Sequence, residues 1–305
     1  MSLTAEQKAT RAQGLGSSDI SAVCGLNPWR KPIDVWLEKT GRSEAREDTA
    51  QTQLGERLER QIAEMYAQPR GLELVPGETV VGREPWMIST PDFKVLPGLL
   101  EKLLECKNVG YRLVHHWPEG SAPDYVVGQV LWQQEVTGIH AADVAALLGG
   151  RDYREVSIPY ASDVVGDLVE IGREFWTEHV VKDLPPPVDG SDSWAAYIRS
   201  RWPSDLAPPI EATPDADELA HRLTMARAQL ESAEADKLEC ENALKLLIGD
   251  AAGVRGKGWS VSWKTNASGG TDWKGLADSL GATAAQIEAF KRPGARVFRF
   301  TAKGL

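Results

Sequence analysis

Two short polar stretches carry the side chains best suited to chemistry. The first is Pro91-Asp92, and the second, thirteen residues beyond the aspartate, is Glu105-Cys106-Lys107. Because side chains alternate along a strand, Glu105 and Lys107 share one face and Cys106 points to the other. An aspartate at the start of one strand and a glutamate on the next can therefore face the same point.

Converging carboxylates of this kind form a hard-oxygen site suited to Mg²⁺ or Mn²⁺. A neighbouring lysine can hold or deprotonate a water molecule and offset phosphate charge, as hydrolysis of a phosphodiester bond requires. The spacing alone is weak evidence, because an acidic surface hairpin gives the same letters. Leu103-Leu104 directly before Glu105 strengthens it, since the acid then lies on a buried strand.

Two further polar residues lie on predicted helices that flank these strands. Glu59 follows Leu58 in a helix with one apolar stripe, so it borders that stripe and can lean over the sheet. Gln129 lies on a predicted helix at 125–136. For each residue the alternative is an ordinary solvated helix side chain.

The surrounding pattern predicts a mixed α/β layer domain. The predicted elements are helices at 17–24, 31–39 and 54–65, strands at 72–81, 85–90, 93–95 and 99–107, a helix at 125–136, strands at 143–148 and 153–158, and a helix at 163–181. We expect the strands to be mainly antiparallel, because they are short and separated by Gly and Pro.

Composition excludes several classes of protein. The chain has 305 residues, 42% of them hydrophobic, and eleven tryptophans, so it can form a core and is not disordered as a whole. No apolar run is long enough for a membrane span. The polar N-terminal stretch and three unrelated cysteines predict no secretion signal and no disulfide scaffold, and so a cytoplasmic protein.

The net charge of −10 argues mildly against a protein that coats nucleic acid electrostatically. The charge is uneven, however: residues 253–305 carry nine Lys or Arg against three acids, a net of 9 − 3 = +6, which leaves −16 for residues 1–252. That basic segment can touch DNA, or it can balance acidic neighbours within the protein.

We divide the chain into a core at 1–184, a Pro-containing connector at 185–213 and a C-terminal part at 214–305. The C-terminal part begins with a long helix whose apolar stripe is heptad-like over 219–247 and is broken at Lys237. Packing within the chain and an intermolecular coiled coil are equally good explanations of this stripe. Beyond it, strands are predicted at 258–265 and 295–301, with a helix near 275–291 between them.

Taken in order, the motifs resemble the lambda exonuclease / YqaJ-like viral recombinase family, a branch of the PD-(D/E)xK nucleases. The resemblance rests on five matching stretches in the family's order: Gly16-Ser17-Ser18-Asp19 with Asn27-Pro28-Trp29, Trp36-Leu37-Glu38-Lys39-Thr40-Gly41, Gly55 through Leu58-Glu59 to Tyr66, Thr90-Pro91-Asp92 with Leu104-Glu105-Cys106-Lys107, and Tyr125 to Gln129-Val130. It implies a restriction-endonuclease-like α/β (α+β) core, with a central mixed sheet flanked by helices. A long C-terminal helix and a small α/β appendage follow this core.

The resemblance also implies roles for the residues of the site. Asp92, Glu105 and the Cys106 main-chain carbonyl would bind the catalytic Mg²⁺, and Glu59 would help to bind a second metal ion. Lys107 would position or activate the attacking water, and Gln129 would form a hydrogen bond near it. The residues that would grip the 5′ phosphate are Arg11, Ser17, Ser18 and Thr90, and Arg112 is a further candidate after the E-x-K strand. Separately from the resemblance, Trp29 lies in a predicted loop, where its ring could stack on a frayed DNA end.

The family degrades one strand of linear duplex DNA from its 5′ end and releases mononucleotides. The remaining 3′ strand passes to a single-strand annealing recombinase, and relatives form ring-shaped homotrimers. The resemblance thus implies a phage or prophage enzyme that acts in the cytoplasm of a bacterial host. The alternatives are an endonuclease, a nuclease for single strands, or a catalytically silent DNA-binding subunit on the same fold.

Overall fold

The computed structural model describes residues 5–43, 50–96, 101–265, 272–283 and 285–286. The chain divides into two compact units, Met1–Ile198 and Arg199–Leu305. The predicted strand at 295–301 and most of the predicted helix at 275–291 lie outside the described residues. In the parts that are described, no helix is both long enough and apolar enough to cross a lipid bilayer.

A five-stranded mixed sheet forms the centre of the first unit, in the order β1-β4-β5-β6-β7. The strands of this unit are β1 (Glu73–Pro76), β2 (Val80–Val81), β3 (Ile88–Ser89), β4 (Phe93–Leu96), β5 (Lys102–Val109), β6 (Ala142–Leu148) and β7 (Asp152–Ser157). Neighbours in the sheet are antiparallel except β5 and β6, which are parallel, and β2 pairs separately with β3.

Helices cover both faces of the sheet. They are α1 (Ala5–Ala12), α2 (Ser17–Val23), α3 (Pro32–Lys39), α4 (Ala50–Ala67), α5 (Asp124–Thr137), α6 (Ser162–Glu174) and α7 (Asp192–Arg201). A π-helical segment, Phe175–Val181, continues α6, and 3₁₀ turns lie at Gln68–Arg70 and Tyr111–His116. The mixed α/β core predicted from the sequence is confirmed.

Helix α4 packs on one face of the sheet through the apolar stripe recognised in the sequence. Ile62 and Tyr66 are buried there together with Phe93, Leu104 and Cys106. Cys106 therefore points away from the face that carries Glu105 and Lys107, as strand alternation predicted. The thiol lies in a hydrophobic cluster, and burial raises its pKa well above the ordinary value, so it packs as a small apolar group.

The opposite face carries the larger core, which joins α2, α3, α5 and α6 to the sheet. Trp36, Trp132 and Leu103 are among its fully buried side chains. Helix α5 crosses this face between the parallel strands β5 and β6, as a parallel connection requires. The central position of β6 explains why 142–148 is an almost continuous apolar run rather than an alternating one.

The predicted limits of several helices and strands were wrong. The predicted strand at 72–81 is two short strands, β1 and β2, separated by Gly77, and the one at 85–90 is only Ile88–Ser89. The predicted helix at 163–181 is α-helical only to Glu174. Helix α1 was not predicted, because it is short and its only apolar residues are three alanines.

Helix α7 lies inside the segment that we predicted as a connector. Trp194 is buried, and its indole Nε1 donates a hydrogen bond to the Pro187 carbonyl at 3.2 Å. Tyr197 lies edge-on against Trp36 of α3, with ring centroids 5.4 Å apart. This segment is therefore partly helical, and its part up to Ile198 packs within the first unit. The predicted limits at 184 and 213 stay predictions.

The longest helix of the second unit is α8 (Pro214–Ile248), which has 35 residues and confirms the predicted long C-terminal helix. Thr213 caps it, since its Oγ1 accepts a hydrogen bond from the Ala216 amide at 3.3 Å. An antiparallel hairpin follows, formed by β8 (Gly253–Gly256) and β9 (Trp259–Ser262). The short helix α9 (Trp273–Ser279) lies beyond the hairpin.

Candidate active site

The pairing of β4 with β5 brings the two predicted metal-binding acids together. Phe93 lies opposite Leu104 in this antiparallel ladder. Extending the register by one residue sets Asp92 across from Glu105. The Asp92 Oδ2 atom accepts a hydrogen bond from the backbone N–H of Cys106 at 2.8 Å, which holds the aspartate against the next strand.

Glu105 lies at the centre of a network of polar side chains. It is buried, with 2% of its surface exposed. Its Oε1 atom accepts hydrogen bonds from Lys107 Nζ at 2.5 Å and from Gln129 Nε2 at 2.6 Å. Lys107 Nζ also donates to Gln129 Oε1 at 3.0 Å, so the three predicted residues are joined to one another.

The second oxygen of Glu105 has a partner that the sequence analysis missed. Gln133 Nε2 donates to Glu105 Oε2 at 2.7 Å, and Gln133 is fully buried. It lies four residues after Gln129 on α5, so both amides project from one helix face. That spacing was the signal available in the sequence. The Gln133 Oε1 atom is buried and has no hydrogen-bond partner in the structure.

A small open cavity joins the acidic site to the predicted phosphate-binding residues. It is lined by Arg11, Gly16, Ser17, Ser18, Ile88, Thr90, Asp92 and Gln129. Four residues predicted to grip the 5′ phosphate thus share one cavity with two residues predicted to take part in cleavage. The groups come from α1, α2, the loop before β4, and α5.

Hydrogen bonds hold the hydroxyl and guanidinium groups of this cavity in place. Arg11 Nη2 donates to Ser18 Oγ at 3.4 Å. The hydroxyls of Ser17 and Ser89 lie 3.2 Å apart, and those of Thr90 and Thr79 lie 2.9 Å apart. Each hydroxyl can rotate to donate to an incoming anion.

A buried ion cluster behind the cavity positions α1 and α2. Asp19 accepts a hydrogen bond from the Gly16 amide at 2.9 Å and pairs with Lys39 Nζ at 2.8 Å and with Arg30. Lys39 Nζ also donates to the Arg11 carbonyl at 2.9 Å. Burial would raise the pKa of Asp19, but the charges of Lys39 and Arg30 hold it well below its ordinary value.

Two of the predicted DNA-binding residues do not line this cavity. Trp29 is 53% exposed in a loop, and its ring lies edge-on against Tyr125 with centroids 5.2 Å apart. Arg112 is exposed in the 3₁₀ turn that follows β5. Their proposed contacts with DNA stay predictions.

The electrostatics of the site are those of a carboxylate cluster with one cation. Burial and the negative charge of Glu105 raise the pKa of Asp92 well above its ordinary value, and Glu59 on α4 raises it further. Burial would lower the pKa of Lys107, but the charges of Glu105 and Asp92 raise it instead. The lysine is therefore protonated at neutral pH.

The donor set fits a hard divalent cation. Asp92, directly before β4, and Glu105 on β5 carry carboxylates that repel each other, and positive charge relieves that repulsion. Within the described residues, no three or more His, Cys, Asp or Glu side chains cluster closely enough to hold a metal ion. A cation here would thus depend on two carboxylates with backbone and water oxygens. The second-metal role of Glu59 stays a prediction.

Comparison with known proteins supports the resemblance drawn from the motifs. Residues 7–140 match the YqaJ-like viral recombinase domain. The chain is also similar to the uncharacterized protein YqaJ of Bacillus subtilis (strain 168), with 26% identity over 284 residues, which is 88% of this chain and 86% of the relative. The resemblance predicted from the sequence is confirmed.

A solved structure shares the fold. LHK-Exo in complex with dAMP superposes with a TM-score of 0.51 and 17% identity, over 65% of this chain and 97% of that chain. A second structure of LHK-Exo, an alkaline exonuclease from Laribacter hongkongensis, gives a TM-score of 0.49 and 16% identity over the same shares of the two chains.

Proposed function

We propose that this chain is a Mg²⁺-dependent exonuclease, because residues 7–140 match the YqaJ-like viral recombinase domain. Its substrate would be linear double-stranded DNA, which it would degrade from the 5′ end into mononucleotides. The 3′ strand that remains would pass to an annealing recombinase. LHK-Exo, which shares this fold, was solved with dAMP, a mononucleotide.

The observation that carries this proposal is the shared cavity. Arg11, Ser18 and Thr90 supply a cation and hydroxyl donors for a terminal phosphate. Asp92 and Gln129 line the same cavity, so a phosphate bound there lies beside the groups that would cut the chain. A terminal phosphate anchor next to the acids selects the first phosphodiester bond of a strand, which is exonuclease action. An endonuclease has no use for such an anchor.

Each side chain of the site would have its own role in hydrolysis. Asp92, Glu105 and the Cys106 carbonyl would hold Mg²⁺, which when bound would activate water and neutralise charge on the phosphate. Lys107 would orient the attacking water and offset the charge of the phosphate, and its contact with Gln129 fixes the ammonium group. Gln133 would keep Glu105 in one orientation.

The net charge of −10 is compatible with DNA as the substrate if the basic side chains that contact DNA are clustered on one surface. A homotrimeric ring would satisfy that condition, because only the wall of its channel need be basic. The proposed assembly is therefore built from homotrimeric rings, and its test is whether the mass of the full-length protein in solution is a multiple of three chains.

The decisive experiment is digestion of linear duplex DNA in Mg²⁺, labelled at one 5′ or one 3′ end. We expect the 5′ label to leave as a mononucleotide, faster from 5′-phosphate than from 5′-hydroxyl ends, with closed circles left intact. Cutting of circles would instead indicate an endonuclease. No cleavage in Mg²⁺ or Mn²⁺ would indicate a catalytically silent DNA-binding subunit.

Matched variants separate the anchor from the catalytic groups. Glu105→Gln should abolish cleavage of both kinds of end. Arg11→Ala should remove most of the preference for 5′-phosphate ends and change turnover at saturating substrate much less. Arg151→Ala removes an exposed arginine that does not line the cavity, and it should behave as the unmodified protein. An unchanged end preference in Arg11→Ala would remove Arg11 from the anchor.

A further inference from the structure

Helix α8 carries a seven-residue repeat from Leu219 to Leu247, in which Lys237 is the one charged position. The repeat positions, at alternating spacings of four and three, are Leu219, Leu223, Ala226, Leu230, Ala233, Lys237, Cys240, Leu244 and Leu247. A period of 3.5 residues keeps one face of a helix against a partner helix only when the two supercoil about each other. The repeat therefore indicates a helix that pairs with another helix.

Much of this face is exposed in the single chain. Leu219, Leu230 and Leu247 are 60%, 59% and 81% exposed, and Cys240 is an exposed free thiol. The helix has 35 residues, so at 1.5 Å per residue it is about 52 Å long. The stripe from Leu219 to Leu247 covers about 42 Å of it, and an exposed apolar stripe of that length is typical of a surface that binds another protein.

We propose that two copies of this chain pair through α8 as an antiparallel coiled coil; in the trimer proposed above, such pairs would join chains of two different rings. A parallel pair would set Lys237 against the partner's Lys237 in one core layer, and two buried like charges repel. It would also set Ala226 and Ala233 against their own copies, which leaves gaps between the helices.

The antiparallel arrangement removes both problems when Leu223 is layered with the partner's Cys240. The same register sets Leu230 against the partner's Ala233, so large side chains face small ones. Lys237 then faces the partner's Ala226, where its methylene chain covers the small side chain and its ammonium reaches the edge. In the single chain, that ammonium already lies 3.6 Å from Glu241 Oε1.

The charges beside the stripe favour the same direction. The flanking positions in the N-terminal half carry Arg222 and Arg227, and those in the C-terminal half carry Glu234, Asp236 and Glu241. A parallel pair would bring arginine to arginine and acid to acid. An antiparallel pair brings the basic half of each helix to the acidic half of the other.

Disulfide trapping in the full-length protein tests the pairing and its direction. Leu223→Cys places a thiol that faces the partner's Cys240 in the antiparallel register. The two thiols of one chain are seventeen residues apart, about 25 Å along the helix, so they cannot join within a chain. After mild oxidation, we expect most of the Leu223→Cys protein to run as a covalent dimer without reductant.

Control variants test the relative direction of the two helices and the specificity of the disulfide link. The unmodified protein, and Leu223→Cys combined with Cys240→Ser, should stay unlinked, because only a parallel pair aligns identical positions. Ser232→Cys, on the outer face of the helix, gives the background of random collisions. Leu230→Asp added to Leu223→Cys should abolish the dimer.

Two outcomes would overturn the proposal. Linking through Cys240 alone would show a parallel pair, and no linking above the Ser232→Cys background would show that α8 does not pair with a second copy. Circular dichroism of each variant confirms that α8 is helical, so an unfolded variant is not read as a negative result. The experiment uses no DNA, and its outcome is independent of the proposed nuclease activity.

Discussion

Replacing Gln133 with leucine tests whether this buried amide positions Glu105 or merely fills space. The substitution removes the hydrogen bond from Nε2 to Glu105 Oε2, which is 2.7 Å long in a fully buried position. A hydrogen bond to a charged group contributes about 1.5–3 kcal/mol. The substitution also removes the unpaired Oε1 atom, whose burial costs about 1–3 kcal/mol.

Because these two contributions have opposite signs and similar size, we expect the free energy of unfolding to change by less than about 2 kcal/mol. No second effect compensates for the lost orientation of Glu105, because the Oε2 atom of this carboxylate loses its hydrogen bond from Gln133. Loss of a group that orients a metal ligand typically lowers metal affinity or activity by about 10–100-fold. We therefore expect Gln133→Leu to need a much higher Mg²⁺ concentration for half-maximal cleavage.

The assay is a Mg²⁺ titration of cleavage, together with thermal unfolding and calorimetry of Mg²⁺ binding without DNA. Gln134→Leu is the matched control, since Gln134 is equally buried but donates to the His140 and Ile158 carbonyls at 2.6 and 2.9 Å. Its Oε1 atom is also buried without a partner, so its effect on stability should be similarly small, and the Mg²⁺ dependence should stay unchanged. An unshifted Mg²⁺ dependence in folded Gln133→Leu would refute the positioning role.

Three further predictions concern the groups around the site. Asp19→Ala removes the buried carboxylate that pairs with Lys39 and Arg30, so the free energy of unfolding should fall by about 3–5 kcal/mol at pH 7. Because the pKa of Asp19 is held below its ordinary value of 3.8, this contribution is present above pH 3.8 and is lost as the pH falls further, so the two proteins should converge in acid denaturation. Gly77→Ala would put a methyl group 1.8 Å from the carbonyl oxygen of Pro91, beside Asp92, so it should lower the free energy of unfolding by about 1–3 kcal/mol and lower cleavage. Gly55→Ala is the control, because the space around Gly55 is open and neither quantity should fall. Lys107→Ala should lower cleavage by about 100-fold or more at saturating Mg²⁺, and a smaller loss would mean that the attacking water is oriented without it.

The acids of the site could be predicted because their signal is local. Glu105 and Lys107 are two residues apart on one strand, and alternation alone sets them on one face with Cys106 on the other. The structure agrees, since Lys107 contacts Glu105 and the cysteine packs under α4. The stripe of α4 and the long α8 were predictable for the same reason, as both have a clear helical period.

Weakly periodic or very short elements were harder to predict. Strand β3 has two residues, and its limits depend on its pairing with β2 rather than on its own composition. Helix α7 was assigned to a connector because proline dominates its surroundings. Its formation depends on burying Trp194, a contact that no local pattern encodes.

By itself, the sequence determined which residues can do chemistry here and in what order they occur. Asp92, Glu105 and Lys107 are identified by type and spacing, and the motifs around them identify the family they resemble. Only the tertiary structure decided that Gln133 supports Glu105 and that Arg11 shares a cavity with Asp92. Contacts between residues tens of positions apart depend on strand register and helix packing, which are set by burial across the whole core rather than by neighbours in the chain.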